Sequence, residues 1–273
     1  MPRMDAFAAG FPNVSLTTQV HAQVMARSLG RNEIAIWPGK AHDTNAAHGS
    51  GPIAAGLWSP IGRKTYVAEI GTSLVFEATQ AYIGAALPDE KPPLIVISHG
   101  SGSSNDGTAW LAADLAERGA HVLVMNHPGT TTGDSSPRKT VRLSERAADL
   151  SVALDHVLAD PYFASRIDTD QIAALGFSLG GSTVLGIAGI RLDPAAYRDY
   201  CEEFGEAAQD CLFLMRGGVD FDSLPTAFSS DMSDPRFTRI VTVDPGYTYA
   251  VVADSAAQVD APVQLVTLGD GFP

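Results

Sequence analysis

The run Gln171-Ile172-Ala173-Ala174-Leu175-Gly176-Phe177-Ser178-Leu179-Gly180-Gly181 sets a serine in a G-x-S-x-G pattern, between a short apolar strand and a small-residue helix. Such a turn holds the serine on a tight strand-to-helix bend, and the flanking glycines keep side chains out of the crowded space around it. Ser178 is therefore the candidate nucleophile for acyl transfer. That chemistry also needs a base for the hydroxyl proton, an acid to orient the base, and N–H donors for the oxyanion. Leu179 N–H, directly after the serine, is one candidate donor. The other is Ser101 N–H, in the run Ser98-His99-Gly100-Ser101-Gly102 that follows the apolar residues Leu94-Ile95-Val96-Ile97.

Two aspartates follow later strand-like runs, and both would lie at the carboxyl edge of a parallel sheet, where open α/β folds place their sites. Asp244 precedes Pro245-Gly246, a sharp turn able to aim a side chain inward. Asp270, in Gly269-Asp270-Gly271, also fits a purely structural turn aspartate. The base is harder to place. All seven histidines, His21, His42, His48, His99, His121, His127 and His156, precede Ser178 in the chain. His99 belongs to the oxyanion loop and suits a structural role. His127, in His127-Pro128-Gly129, ends a strand at the same edge and is the in-chain substitute.

Composition narrows the class. At 273 residues and 45% hydrophobic, the chain can bury a sizeable core, and a single α/β domain over residues 1–273 is expected. No apolar run approaches a bilayer span, which argues against stable membrane insertion. The start, Met1-Pro2-Arg3-Met4-Asp5, has no charged n-region leading into an apolar h-region. As written the chain reads as cytoplasmic, with an exported mature form as the alternative. A net charge of −13 disfavours nucleic acid or an anionic membrane surface as the main partner. Ten acidic residues against Arg198 and Arg216 give −8 to the stretch from Leu192 to Pro235. That charge either faces the site, disfavouring anionic substrates, or forms a solvated acidic surface. Cys201 and Cys211 lie in the same stretch without neighbouring ligand histidines, a poor metal signature; they are either a disulfide closing a small loop or two free thiols.

Residues 1–90 read as an antiparallel lead-in, with strands at Glu33–Trp37, Thr65–Ile70 and Ser73–Ala78 and a Gly/His/Asn/Pro-rich stretch at 38–56. From Leu94 the pattern alternates, predicting βαβ units and a parallel sheet. Strands are expected at Leu94–Ser98, His121–Asn126 and Gln171–Phe177, and helices at Thr108–Arg118, Ser144–Ala159 and Leu179–Ile190. Gly119 stops the first helix and Ser144 caps the second. Residues 191–235 break the alternation and read as an inserted acidic lid. Strands return at Arg239–Val243 and Val263–Leu268.

From about Leu94 onward the chain resembles the α/β-hydrolases grouped as predicted dienelactone hydrolases, similar to platelet-activating-factor acetylhydrolase. The resemblance rests on Ser98-His99-Gly100-Ser101-Gly102, Asn126-His127-Pro128-Gly129, Arg146 and Asp149, Ile172 through Gly181, and Val241-Thr242-Val243-Asp244-Pro245. It implies an α/β-hydrolase fold, a mostly parallel central sheet with helices on both faces. It also implies that Ser178 is the nucleophile, that Asp244 rather than Asp270 is the triad acid, and that Ser101 and Leu179 supply the oxyanion amides. The family's histidine lies after the acid, on the loop between one further strand and a closing helix that follow Val263–Leu268, and matches no position here; a C-terminal segment outside these 273 residues would supply it. The implied activity is hydrolysis of a small-molecule carboxylic ester of short or medium acyl chain, without metal or organic cofactor. The alternative is a catalytically inactive hydrolase fold that binds a small apolar ligand or a protein partner.

Overall fold

The computed structural model describes residues 53–61, 64–71 and 77–268, and the backbone of 29–36. Nine strands form one sheet: β1 Leu29–Ile36, β2 Ile53–Pro60, β3 Val67–Ile70, β4 Thr79–Ile83, β5 Pro93–Ser98, β6 His121–Met125, β7 Asp168–Phe177, β8 Arg239–Val243 and β9 Val263–Val266. Their order is β3-β4-β1-β2-β6-β5-β7-β8-β9. Every neighbouring pair from β6 to β9 is parallel. The lead-in is antiparallel at β1–β2, β2–β6 and β3–β4, with one parallel pairing at β1–β4.

Among the described residues eight α-helices form: α1 Ala109–Glu117, α2 Pro137–Thr140, α3 Leu143–Ala159, α4 Pro161–Ala164, α5 Leu179–Ile187, α6 Pro194–Phe204, α7 Gln209–Arg216 and α8 Ala253–Ala256. One face of the sheet is covered by α1, whose Ala109, Ala112, Ala113, Leu115 and Ala116 pack on Ile95, Ile97, Val122, Val124 and Leu175. The small alanines let the helix lie close to the β-branched surface. The other face is covered by α3 and α5, through Leu143, Ala147, Leu150, Leu154, Val157, Val184 and Ile187. Full burial of each such leucine or isoleucine is worth about 1.5–3 kcal/mol. Helices thus lie on both faces of a mostly parallel sheet, as the alternation predicted. Among the described residues no helix is long and apolar enough to cross a membrane.

Gly119, at φ +96°, ends α1: its N–H donates to Ala116 O, and Ala120 N–H donates to Leu115 O, a Schellman closure. Ser144 does not cap α3. The helix begins one residue earlier, its N-cap is Arg142, and Arg142 Nε donates to Glu145 Oε1 instead (2.5 Å). β2 was missed because its Ala, Gly and Ser residues have low strand propensity; its burial between β1 and β6 overrides that preference. β4 was also missed, whereas most of the strand expected at Ser73–Ala78 lies outside the described residues.

Residues 191–235, read as a lid, fold as α6, α7 and short 3-10 turns. Tyr197, Cys201, Cys211, Leu214 and Phe228 from this stretch join the same core cluster as α3 and α5. Cys201 and Cys211 form a disulfide with Cα atoms 5.5 Å apart, linking α6 to α7. Of the two cysteine states open from sequence, the structure holds the bridged one. A loop of this length restricts the unfolded chain by roughly 3 kcal/mol. The double variant Cys201→Ala/Cys211→Ala is expected to lose about 2–3 kcal/mol of unfolding free energy, read from urea denaturation. An unchanged midpoint would show that packing around α6 and α7 alone sets their stability.

Candidate active site

β5 and β7 are neighbours although β6 lies between them in sequence, so the chain leaves β5 to one side and returns on the other. At such a switch point the loops after adjacent strands diverge and leave a crevice. Ser178 sits there, between the last residue of β7 and the first of α5, half-buried, with φ 53° and ψ −118°. For a residue with a side chain this backbone state costs on the order of 1–3 kcal/mol and persists only where neighbours impose it. Ser178 N–H donates to Val243 O of β8 (2.9 Å), and Ser178 O accepts from Ser182 N–H (3.1 Å). The glycines of the motif are required by contact: a Cβ on Gly176 would stand 2.0 Å from Gly180 O, and one on Gly180 would stand 1.9 Å from Ser98 O.

The loop after β5 passes beside the serine. A Cβ on Gly100 would lie 3.5 Å from Ser178 Cβ and 3.2 Å from Phe177 Cδ1. The next residue, Ser101, is exposed. Among the described residues neither Ser101 N–H nor Leu179 N–H donates to an intramolecular acceptor. The flanking backbone is pinned: Gly102 N–H donates to Thr130 O (2.8 Å), Ser103 N–H to Gly100 O (3.2 Å) and Thr132 N–H to Ser103 O (2.8 Å). Two amides on fixed backbone beside one hydroxyl make an arrangement able to receive an oxyanion.

Asp244 follows β8 as Ser178 follows β7, since Phe177 and Val243 are register partners. Neighbouring strands lie about 4.8 Å apart, so the two residues occupy adjacent strand ends. Asp244 also has positive φ (47°), its N–H donates to Val266 O (2.7 Å), and it is exposed. No described group hydrogen-bonds its carboxylate. Asp270 lies outside the described residues. Among the described residues no cluster of three His, Cys, Asp or Glu side chains is placed to hold a metal ion.

The histidines are arranged differently from the expectation for His127. Its ring is completely buried, with Nε2 3.0 Å from Ser98 Oγ and Nδ1 2.9 Å from Asp149 Oδ2. Both nitrogens are occupied away from Ser178, so His127 is not placed to serve as its base. Burial, with Arg146 and His99 nearby, holds its pKa well below the ordinary 6.5. His99 donates from Nδ1 to Gly100 O (2.7 Å) and accepts His127 N–H at Nε2 (3.3 Å). Burial first, then Arg146, lowers its pKa to about 3, against the Gly100 hydrogen bond. His121 is locked between Ser59 Oγ and Arg166 O, and His156 is exposed on α3. His21, His42 and His48 lie outside the described residues.

Ser98, His127 and Asp149 have the connectivity of a catalytic triad, but Ser98 and His127 are 0% exposed, and no ester can reach them. Ser98 Oγ accepts from Arg146 Nη2 (3.1 Å), which leaves its own proton for His127 Nε2 and makes Nδ1–H the donor to Asp149. Burial raises the Asp149 carboxyl, with Arg146 pulling the other way; burial lowers the Arg146 guanidinium to about 9, still charged at neutral pH. Sequence reasoning offered His127 only as a substitute base for Ser178 and gave Ser98, Arg146 and Asp149 no chemical role. The available signal was a charged pair, Arg146 and Asp149, on the face of α3 that carries Leu143, Ala147, Leu150 and Ala153.

The model of the "Alpha/beta hydrolase family" matches residues 95–272. Among curated proteins, the chain is 34% identical over 101 residues to "Cutinase est2" of Thermobifida alba, covering 36% of this chain and 31% of that protein. It is 33% identical over 101 residues to "Cutinase 2" of Thermobifida cellulosilytica, covering 36% and 35%. The chain thus spans about a third of the length of these relatives. Among solved structures, a ferulic acid esterase from Streptomyces cinnamoneus superposes with a TM-score of 0.56 at 21% identity, over 90% of this chain and 66% of that one. That likeness is one of fold.

The buried neutral histidines set an acid limit on stability. His99 takes up a proton near pH 6.5 when unfolded but only near pH 3 when folded, so between these values the unfolded chain binds more protons and stability falls with falling pH. His121 and His127 shift in the same direction, and Asp149, shifted upward, offsets part of the effect. From pH 7 to pH 5, His99 alone is expected to remove about 2 kcal/mol. Urea denaturation at the two pH values reads this directly. Equal stability at both would overturn this acid limit.

Proposed function

Because the chain belongs to the alpha/beta hydrolase family, we propose that it is a serine carboxylic-ester hydrolase acting through an acyl-enzyme at Ser178. The observation that carries this reading is Ser178 in its left-handed turn between β7 and α5, beside the undonated amides of Ser101 and Leu179. In the proposed route Ser178 Oγ attacks the ester carbonyl carbon while its proton passes to an imidazole. The carbonyl oxygen, now an anion, accepts hydrogen bonds from Ser101 N–H and Leu179 N–H. Collapse expels the alcohol, which takes the proton from the imidazolium. Water then cleaves the acyl-enzyme by the same steps in reverse order of partners. Asp244, at the neighbouring strand end, orients the imidazole and stabilises its charged form.

No described histidine hydrogen-bonds Ser178, and in this proposal the imidazole comes, as the family resemblance implies, from a C-terminal segment outside these 273 residues. Cutinases as relatives support an ester as the substrate class. A short or medium acyl chain follows from the motif resemblance. Within the family, the motifs at 98–102 and 126–129 with Arg146 and Asp149 support a place among the predicted dienelactone hydrolases, similar to platelet-activating-factor acetylhydrolase. The Cys201–Cys211 bridge supports the exported alternative for localisation, because disulfides persist in oxidising compartments.

The second reading, an inactive fold that binds an apolar ligand or protein partner, is favoured by one observation: no described histidine contacts Ser178. A fluorophosphonate probe separates the two. The complete protein is expected to gain one probe mass on Ser178 and to lose ester turnover by at least about 10⁴-fold in Ser178→Ala. Absence of labelling in the complete protein, or full turnover by Ser178→Ala, would sink the esterase reading.

A further inference from the structure

The acyl-transfer route leaves one buried charge without a task. Arg146 lies on α3 at 2% exposure, and its donors reach three separate segments. Its Nη2 donates to His99 O (2.5 Å) and Ser98 Oγ (3.1 Å), at the root of the loop that carries Ser101. Nη1 donates to Thr130 Oγ1, and Thr130 O in turn accepts Gly102 N–H (2.8 Å), the residue just after Ser101. Nε donates to Thr183 Oγ1 (3.0 Å), whose hydroxyl donates to Leu179 O (2.9 Å) on the first turn of α5. Each arm therefore ends on a group that flanks Ser101 or Leu179. The Asp149–His127–Ser98 chain holds the Ser98 hydroxyl that receives one of these bonds.

A buried ion that served stability alone would gain little over apolar residues of the same volume, because desolvation cancels most of its attraction. The placement of the donors is what distinguishes this one. A guanidinium presents five N–H groups in a rigid planar fork, so it fixes distances between its acceptors as a lysine ammonium cannot. An oxyanion site demands that kind of fixity, since donors displaced by about 1 Å lose on the order of 10²-fold in rate.

We infer that Arg146 is a positioning residue that sets the separation of the Ser101 and Leu179 amides across the crevice between β5 and β7. The inference rests on the reading of Ser178 as nucleophile. It deepens that reading by naming what builds the oxyanion site.

The test uses the complete protein with Arg146→Lys and Thr183→Val. The second change keeps volume and removes one arm only, so it reports even where Arg146→Lys folds poorly. Each variant is measured on an oxygen ester and its thionoester, whose developing sulfur anion uses hydrogen-bond donors weakly. The expected result is a fall in kcat for the ester of roughly 10-fold in Thr183→Val and 100-fold in Arg146→Lys, with KM within about threefold. The thionoester rate is expected to fall far less, compressing the ester-to-thionoester ratio about 10-fold. An ester kcat within about twofold of wild type in Thr183→Val, or parallel losses on both substrates, would overturn the inference. If the wild type cleaves no ester, the nucleophile reading fails by itself. The amide ¹⁵N shifts of Ser101 and Leu179 then decide: displacement of both in Thr183→Val supports the positioning role, and unmoved amides overturn it.

Discussion

A Cβ on Gly180 would stand 1.9 Å from the Ser98 carbonyl oxygen and 2.8 Å from that of His99, so the first turn of α5 approaches the end of β5 more closely than any side-chain-bearing residue permits. The rest of the site inherits that spacing. It brings the helix that follows Ser178 against the strand that feeds the Ser98–Gly102 loop, and it places Gly100 beside Ser178. Ser178, in the turn between β7 and α5, has φ 53° and ψ −118°. The strain at Ser178 is held by bonds to β8 and to the body of α5, so three elements share it.

Close approach alone would leave buried polar groups without partners, and these are costly in a dry interior. The carbonyl of His99 and the hydroxyls of Ser98, Thr130 and Thr183 are all buried beneath the crevice. Arg146 supplies a donor to each, and Asp149, three residues on along α3, offsets its charge. The neutral state of His99 and His127 belongs to the same arrangement, for a second buried cation beside Arg146 would be repelled. One helix face thus serves two purposes, an apolar stripe against the sheet and a polar patch under the site.

The stretch 191–235 is tied to the loop after Asp244 by aromatic packing. Tyr197 meets Tyr247 edge to face at 5.0 Å and also packs against Phe221 and Phe228. Tyr247 lies three residues after Asp244, itself in a left-handed state, with its hydroxyl donating to Thr140 O (3.3 Å). Tyr197 OH donates to Asp210 Oδ2 (2.8 Å), joining α6 to α7 alongside the disulfide. The acidic residues are therefore carried on a body anchored to the core and to the loop behind Asp244. Anchoring of this kind favours a fixed wall over a freely swinging cover.

The sequence by itself determined the parallel half of the sheet, its helices, and the position of Ser178, because alternating apolar periods and a glycine-framed turn are local properties of the chain. Leu94–Ser98, His121–Asn126 and Gln171–Phe177 were legible for that reason, and Gly119 as a helix stop likewise. β2 was not, since its Ala, Gly and Ser residues have weak strand preference and it is held between β1 and β6; β4 was not either, being a five-residue run paired to β3 and β1. Only the tertiary structure decided the histidines among the described residues. His127 ends a strand at the correct edge, yet its ring turns into the core because Asp149 and Ser98, 22 residues ahead of it and 29 behind, offer both nitrogens a partner. Arg146 was partly hidden, for a charged pair with Asp149 on an apolar helix face signals burial but not which four side-chain and carbonyl oxygens on three other segments the guanidinium binds. Local periodicity specifies elements and turns, whereas a hydrogen-bond network among residues far apart in the chain exists only once those elements have packed.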